Sequence, residues 1–194
     1  DIGLGIPAEP LFRSASGTLT IKQTSSEINL FGYRNGGGLV GSVMGSLNIV
    51  NSYSILTDAD YFQAQGLVGY APQPYYSGST PVTAQINVEN SYGLTKSATT
   101  PDLIYVHLSR VPVPVTYKNV FHIDYSGTSE DSVGFFSATE EQFKNGAVAS
   151  ALHMYKSETA DGSVWGQNVC TDEYPKLTGT VSGITATKVS VSYL

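Results

Sequence analysis

The sequence predicts a mainly β fold, a parallel β-helix or β-solenoid-like repeat with a C-terminal helical cap. Three observations carry this expectation. Gly38-Leu39-Val40-Gly41 is followed by Asn51-Ser52-Tyr53, and the pair recurs as Gly66-Leu67-Val68-Gly69 and Asn90-Ser91-Tyr92. The segments around the second motif, LNIVNSYSI and QINVENSYGL, are dense in β-forming residues. A helix-spaced apolar stripe emerges only after the last repeat, at Phe143, Ala147, Ala151 and Tyr155.

Composition agrees with a β-rich, secreted-type chain. Only 13% of the 194 residues are charged, while 41% are apolar and 20 are glycine. The charged share is about half of the ~25% usual for globular proteins. The 13 Tyr and 7 Phe, with many Val, Ile and Leu, can build one substantial core. Net charge is −6, and Lys and Arg form no run. That disfavours nucleic acid as a partner, because phosphate neutralisation needs clustered cations. A single cysteine, Cys170, rules out an internal disulfide. No apolar run reaches the ~20 residues of a membrane span. The chain opens at Asp1 without a charged-then-apolar leader, so any signal peptide is expected to have been removed or to lie outside this sequence. No Asn-x-Ser/Thr sequon occurs.

Residues 1–16 carry Pro7 and Pro10 without a period and are expected to be an irregular leading segment. Residues 17–136 form the repeat region. TLTIK alternates Thr18, Thr20 and Lys22 with Leu19 and Ile21, and Ile28 and Leu30 alternate with Asn29 and Phe31. Both read as strands. Gly-Leu-Val-Gly reads as a short strand with both faces covered, or as a tight corner where Cβ atoms would clash. Asn51 and Asn90 stand 39 residues apart. The second unit is the longer one because Ala71–Pro81 inserts three prolines and Tyr75-Tyr76. A degraded third copy has Leu103–Val106 in place of the glycine motif and Asn119-Val120-Phe121 in place of Asn-Ser-Tyr. Ser132–Phe136 is a last half-copy. Units of this length with two short strands each are expected to stack. The recurring Asn either forms a side-chain amide ladder between successive copies or simply marks a bend.

Residues 137–178 change period. Ser137 and Glu140 fit a capping box, and Glu140 and Glu141 fall where the helix dipole favours acid. A helix is expected over 139–155 with a break at Asn145-Gly146, placed to cover the open end of the stack. Trp165 and Tyr174 read as aromatic anchors in the loop-rich remainder. Residues 179–194 read as a linker or terminal strand.

The two Gly-Leu-Val-Gly/Asn-Ser-Tyr pairs resemble the GLUG motif of bacterial adhesins and of non-catalytic regions of IgA-cleaving metallopeptidases. The motif residues are Gly38, Leu39, Gly41, Asn51 and Tyr53, then Gly66, Leu67, Gly69, Asn90 and Tyr92. Ala138–Gly146, Val148-Ala149, Trp165-Gly166-Gln167 and Tyr174-Pro175-Lys176-Leu177 resemble the tail that follows such repeats in surface proteins of gut bacteria. Together these matches span residues 30–178. The resemblance implies a bacterial cell-surface or secreted, adhesin-like β-solenoid. It supplies no catalytic residue, and the third copy departs from the pattern by losing its glycines.

The residues themselves offer little chemistry. His107, His122 and His153 lie on separate segments, and no His-Glu-x-x-His or Gly-x-Ser-x-Gly occurs. His107, His122 and Asp124 could approach one another as metal ligands, but strand residues are the simpler reading. Asp58 and Asp60 lack the later ligands of a calcium loop. Glu140 and Glu141 suit a helix start better than a glycosidase pair. Cys170 reads as a small, partly buried thiol. No catalytic, metal or cofactor site is therefore expected. Tyr75 and Tyr76, framed by prolines, are the candidate ligand contacts, since exposed aromatic rings stack on sugars and anchor interfaces.

The function expected is a non-catalytic surface module displaying loops to host or matrix protein or glycan, with neighbouring modules in a longer chain. The alternative is an accessory domain of a larger secreted enzyme such as a metallopeptidase.

Overall fold

The computed structural model describes residues 12–15, 17–30, 37–59, 66–71, 75–77, 80–82, 84–95, 104–106, 113–123, 133–177 and 181–182. These residues are mainly β. The leading strands are β1 (Phe12–Ala15), β2 (Thr18–Lys22), β3 (Ser25–Leu30), β4 (Val40–Val43), β5 (Ser46–Val50), β6 (Tyr53–Ala59) and β7 (Val68–Ala71). A small antiparallel hairpin, β8 (Tyr75–Ser77) and β9 (Thr80–Val82), occupies the Pro/Tyr insertion. Then come β10 (Gln85–Thr95), β11 (Ile104–Val106), β12 (Val115–Ile123) and β13 (Phe135–Ala138).

The chain alternates between two parallel sheets. One sheet has the order β1-β4-β7-β11. The other has the order β13-β12-β10-β5-β2, with β3 and β6 continuing β2 and β5 alongside the second half of β10. Every pairing within these two sheets is parallel, and each strand lies beside its counterpart from the previous repeat. Equivalent side chains therefore stack in rows. Leu19, Leu47, Ile86 and Val115 form one row, and Ile21, Ile49, Val88 and Tyr117 form the next. Together with Leu39, Val40, Leu67 and Val68 of the facing sheet they make an aliphatic core between the sheets. The glycine motif is the corner that brings the sheets together. A Cβ at Gly38 would collide with Ser54 Oγ and with the Gly66 carbonyl, which explains why only glycine fits.

The Asn-Ser-Tyr motif is a bend within a sheet. Asn51, Asn90 and Asn119 all adopt left-handed backbone, at φ 47°, 46° and 54°. Asparagine tolerates this conformation better than most residues, because its short amide can bond locally. Bend and ladder coexist: Asn119 Nδ2 donates to Asn90 Oδ1, and Asn90 Nδ2 to Asn51 Oδ1, both at 2.7 Å. The serine then repairs the interrupted backbone ladder. Ser91 Oγ accepts from the Ser52 N–H at 3.0 Å, and Ser52 Oγ from the Thr24 N–H at 3.1 Å. Gln23 is a further left-handed residue in the same row, at φ 51°. Its N–H donates to the Val50 carbonyl as the Asn51 N–H donates to Glu89. Gln23-Thr24 is thus an earlier copy of the bend, which the sequence conceals by changing both residue types.

Past the bend, the tyrosines face away from the aliphatic core. Tyr53 and Tyr92 stack at 4.9 Å with planes 9° apart, and Phe121 and Phe136 continue the row. This outer face is covered by α1 (Glu140–Lys144), α2 (Ala147–Met154), the 3-10 turn η1 (Gly162–Val164) and the residues that follow. Trp165 lies 5.9 Å from Tyr53 and 5.6 Å from Tyr92, and Phe143 meets Tyr92 edge-on at 5.4 Å. The Tyr92 hydroxyl donates to the Pro175 carbonyl at 2.5 Å. The ladder asparagines join the same packing. Asn90 Nδ2 donates to the Leu152 carbonyl, Asn119 Nδ2 to Ala151, and Asn51 Nδ2 to Asp161. Residues 139–177 touch three successive strands, β6, β10 and β12, and so lie along the flank of the sheet, not over its open end. The reason is chemical: the flank carries an uncovered aromatic row.

The cap of α1 also differs from expectation. Thr139 is the N-cap and Gln142 completes the box; Ser137 still belongs to β13, paired with His122. The break falls at Asn145-Gly146 as the sequence suggests, with Gly146 left-handed at φ 86°. Beyond η1, β14 (Gln167–Asn168) pairs in parallel with β15 (Val181–Ser182). Residues 183–194, the rest of the expected linker or terminal strand, lie outside the described residues.

Candidate ligand groove

The alternation that sends Leu47, Ile49, Ile86 and Val88 inward sends their neighbours outward. Register then aligns the outward residues. Thr20, Asn48, Asn87 and Thr116 form one row across four strands, and Lys22, Val50, Glu89 and Lys118 form the next. The first row is a second polar ladder. Asn87 Nδ2 donates to Asn48 Oδ1 at 2.9 Å, and Asn48 Nδ2 to Thr20 Oγ1 at 3.4 Å.

A turn after α2 walls this floor on one side. The backbones of Lys156 and Asp161 pair as an isolated antiparallel bridge, and the Ser157 N–H donates to the Ala160 carbonyl. The turn is fastened to the sheet through Glu89, which is almost fully buried. Glu89 Oε1 accepts from the Tyr155 hydroxyl at 2.9 Å and from Ser157 Oγ at 2.6 Å, and Glu89 Oε2 accepts from Thr159 Oγ1. Burial pushes the Glu89 carboxyl up, but the hydroxyls of Ser157, Thr159 and Tyr155, with Lys118, outweigh it and hold it below the ordinary glutamate value. The Tyr155 phenol is pushed the other way, to about 12, by burial and by the adjacent carboxylate. Lys22 Nζ reaches the Thr159 carbonyl at 3.2 Å, closing the wall at that end.

Floor and wall enclose two adjoining hollows. One, of about 500 Å³, runs past Thr20, Lys22 and Glu158. The other, of about 310 Å³, runs past Thr116 and Lys118. Both are lined by Asn48, Asn87, Glu89 and Thr159, so they form one groove crossing the strands.

Comparison with protein-family models, with curated proteins and with solved structures finds no match. The groove must be read from its own residues.

The structure distributes the sequence candidates as follows. Gly38, Leu39, Gly41, Gly66, Leu67 and Gly69 are buried at the corner between the sheets. Asn51, Asn90, Tyr53 and Tyr92 form the bend and the outer aromatic row. Tyr75 and Tyr76 belong to β8, with Tyr75 opposite Val82 and Tyr76 opposite Pro81. Their side chains lie outside the described residues. His107 and Asp124 also lie outside them. His122 is buried and stacks on Phe135 at 4.5 Å with planes 2° apart, as a packed strand residue does. Glu140 and Glu141 occupy the first turn of α1, in keeping with a helix start. Cys170 is exposed rather than partly buried, because it sits on a surface turn closed by Asn168. Among the described residues, no group of three His, Cys, Asp or Glu could hold a metal ion. No described helix is long and apolar enough to cross a membrane.

The groove row was not singled out in the sequence, although a signal for it exists. Counting three residues back from Gln23, Asn51, Asn90 and Asn119 gives Thr20, Asn48, Asn87 and Thr116. The bend residues set the frame, and the polar row follows from it.

Proposed function

We propose that this chain is a non-catalytic, adhesin-like module of a bacterial cell-surface or secreted protein, of the GLUG-repeat kind. In this reading the alternation between two parallel sheets is a β-solenoid, and the flanking helices are its lateral cap. The module presents a side-chain surface to host or matrix glycan or protein. The observation that carries the reading is the outward polar floor. Stacking in register turns one Asn or Thr per repeat into a continuous recognition row, which is how a repeat scaffold makes an extended binding face. Among the described residues, the carboxylate fixed in that floor, Glu89, supports the non-catalytic part. Glu89 is ionised and holds three hydroxyls from residues 155–159, so it serves as a fastener.

The test is an array of glycans and matrix proteins probed with the intact chain, with product analysis of each bound glycan. Specific binding without turnover is expected. Turnover by the purified chain would overturn the reading, as would absence of binding to every glycan and every protein on the array.

A further inference from the structure

We propose that the groove between the outer face of β2, β5, β10 and β12 and the 156–161 turn is the binding site, and that its ligand is a neutral, unbranched glycan segment. This rests on the surface-module reading and replaces the Tyr75-Tyr76 hairpin as the contact surface.

The chemistry of the floor selects the ligand. Asn48 and Asn87 each spend one amide N–H on the ladder. A carboxamide carries two donors and two acceptor lone pairs, so each keeps hydrogen-bonding capacity. Thr20 and Thr116 are exposed and add hydroxyls at the two ends of the row. Such a surface both donates and accepts along its length, and so does a chain of sugar hydroxyls. Strands lie about 4.8 Å apart, so the row from β2 to β12 spans roughly 14 Å. That length accommodates several linked rings rather than one small molecule.

Charge excludes the competing ligands. Lys22 and Lys118 at the ends are matched by Glu89 and Glu158 within the groove. The balance gives neither a polyanion nor a polycation an electrostatic advantage. An extended peptide is disfavoured for a different reason. Peptides bind sheets by adding to an edge, where backbone N–H and C=O groups are unpaired. Here the site is a face, and β5 and β10 are paired on both sides.

The test is titration of the full chain with array-selected neutral and acidic oligosaccharides, at low and high salt, for the parent and for Asn48→Asp/Asn87→Asp. The aspartates preserve side-chain volume while removing both donors. Thermal unfolding and far-UV circular dichroism of the double variant establish that it is folded, and Asn87→Gln, which keeps the amide but displaces it, serves as a second probe. The inference expects a neutral oligosaccharide bound with little salt dependence, a loss of tenfold or more in the double variant, and a smaller loss in Asn87→Gln. Binding that survives both variants, that falls steeply with salt, or that is lost instead in Tyr75→Ala/Tyr76→Ala overturns it. A chain that binds a protein but no glycan also overturns it, while leaving the surface-module reading intact.

Discussion

The seven-stranded sheet carries a core on each face, and the two are built on different plans. The inner core is aliphatic, with rows of Leu, Ile and Val repeated from strand to strand. The outer core is aromatic, with Tyr53, Tyr92, Phe121, Phe143, Trp165 and Tyr174 packed together. The inner core is made by the repeats alone, each copy covering the next. The outer one needs a non-repeating partner, residues 139–177, to cover a row that the repeats leave bare. The left-handed Asn divides the two. By bending the strand it changes which face the following side chains occupy, so one strand such as β10 feeds Ile86 and Val88 inward and Tyr92 and Leu94 outward.

Breaking each core separately should give different outcomes. Trp165→Ala removes the largest fully buried side chain, which should cost about 3–5 kcal/mol. The account expects this loss to free residues 139–177 for proteolysis while the repeat region stays folded. Limited proteolysis with mass spectrometry reads the outcome, and simultaneous digestion of both regions would show that the cores are not separable.

Leu47→Ala strikes the inner core, where each row runs through every repeat. A cost of about 2–5 kcal/mol is expected. Here the helices should be lost with the strands, because their docking face is gone. Denaturant melts followed in the far-UV should show one transition for this variant and two for Trp165→Ala.

The dividing residue gives a smaller and more specific effect. Asn90→Gly keeps the left-handed backbone but removes one ladder acceptor and two donated bonds, to Asn51 and Leu152. Asn90→Ala loses the same bonds and adds roughly 1–2 kcal/mol of left-handed strain. Glycine should therefore be the milder replacement. Equal stability of the two variants in urea melts would show that the bend conformation is not what selects Asn.

The smallest effect is set by pH. The folded Glu89 carboxyl lies below its ordinary value, so its contribution is fully present above the unfolded pKa of about 4.3. It is lost as pH falls from there through the folded value. Glu89→Gln should flatten that part of the acid dependence and loosen the 155–161 turn without disturbing the inner core. Amide exchange at Thr159 and Ala160, whose N–H groups donate to the Ser157 hydroxyl that Glu89 holds, measures it across pH 3 to 6; an unchanged acid profile in the variant would remove Glu89 from this role.

These contrasts also show what could be read in advance. The inner core was legible because alternation and recurrence are local properties of the chain, visible in TLTIK, LNIV and QINV. The corner was legible because glycine has few other reasons to recur with Leu and Val between. The helix break at Asn145-Gly146 was legible for the same kind of reason. The flank packing was not, because it depends on which face Tyr53 and Tyr92 occupy, and a single left-handed residue decides that. The groove was missed because Thr20, Asn48, Asn87 and Thr116 acquire meaning only in register. Unequal spacings between copies hide that register until the bend residues are aligned. Gln23 was missed because its role is conformational, and its residue type gives no hint of left-handed backbone.

The asparagine ladder is the feature on which both cores depend, and side-chain amide exchange measured by NMR tests it most directly. The account predicts that one Nδ2 proton of Asn90 and one of Asn119 exchange far more slowly than those of the exposed Asn145 and Asn168. It also predicts that Asn51→Ala, which removes the acceptor for Asn90, speeds exchange at Asn90. Exchange at Asn90 and Asn119 as fast as at Asn145 in the parent protein would contradict the ladder, and with it the in-register stacking of the repeats.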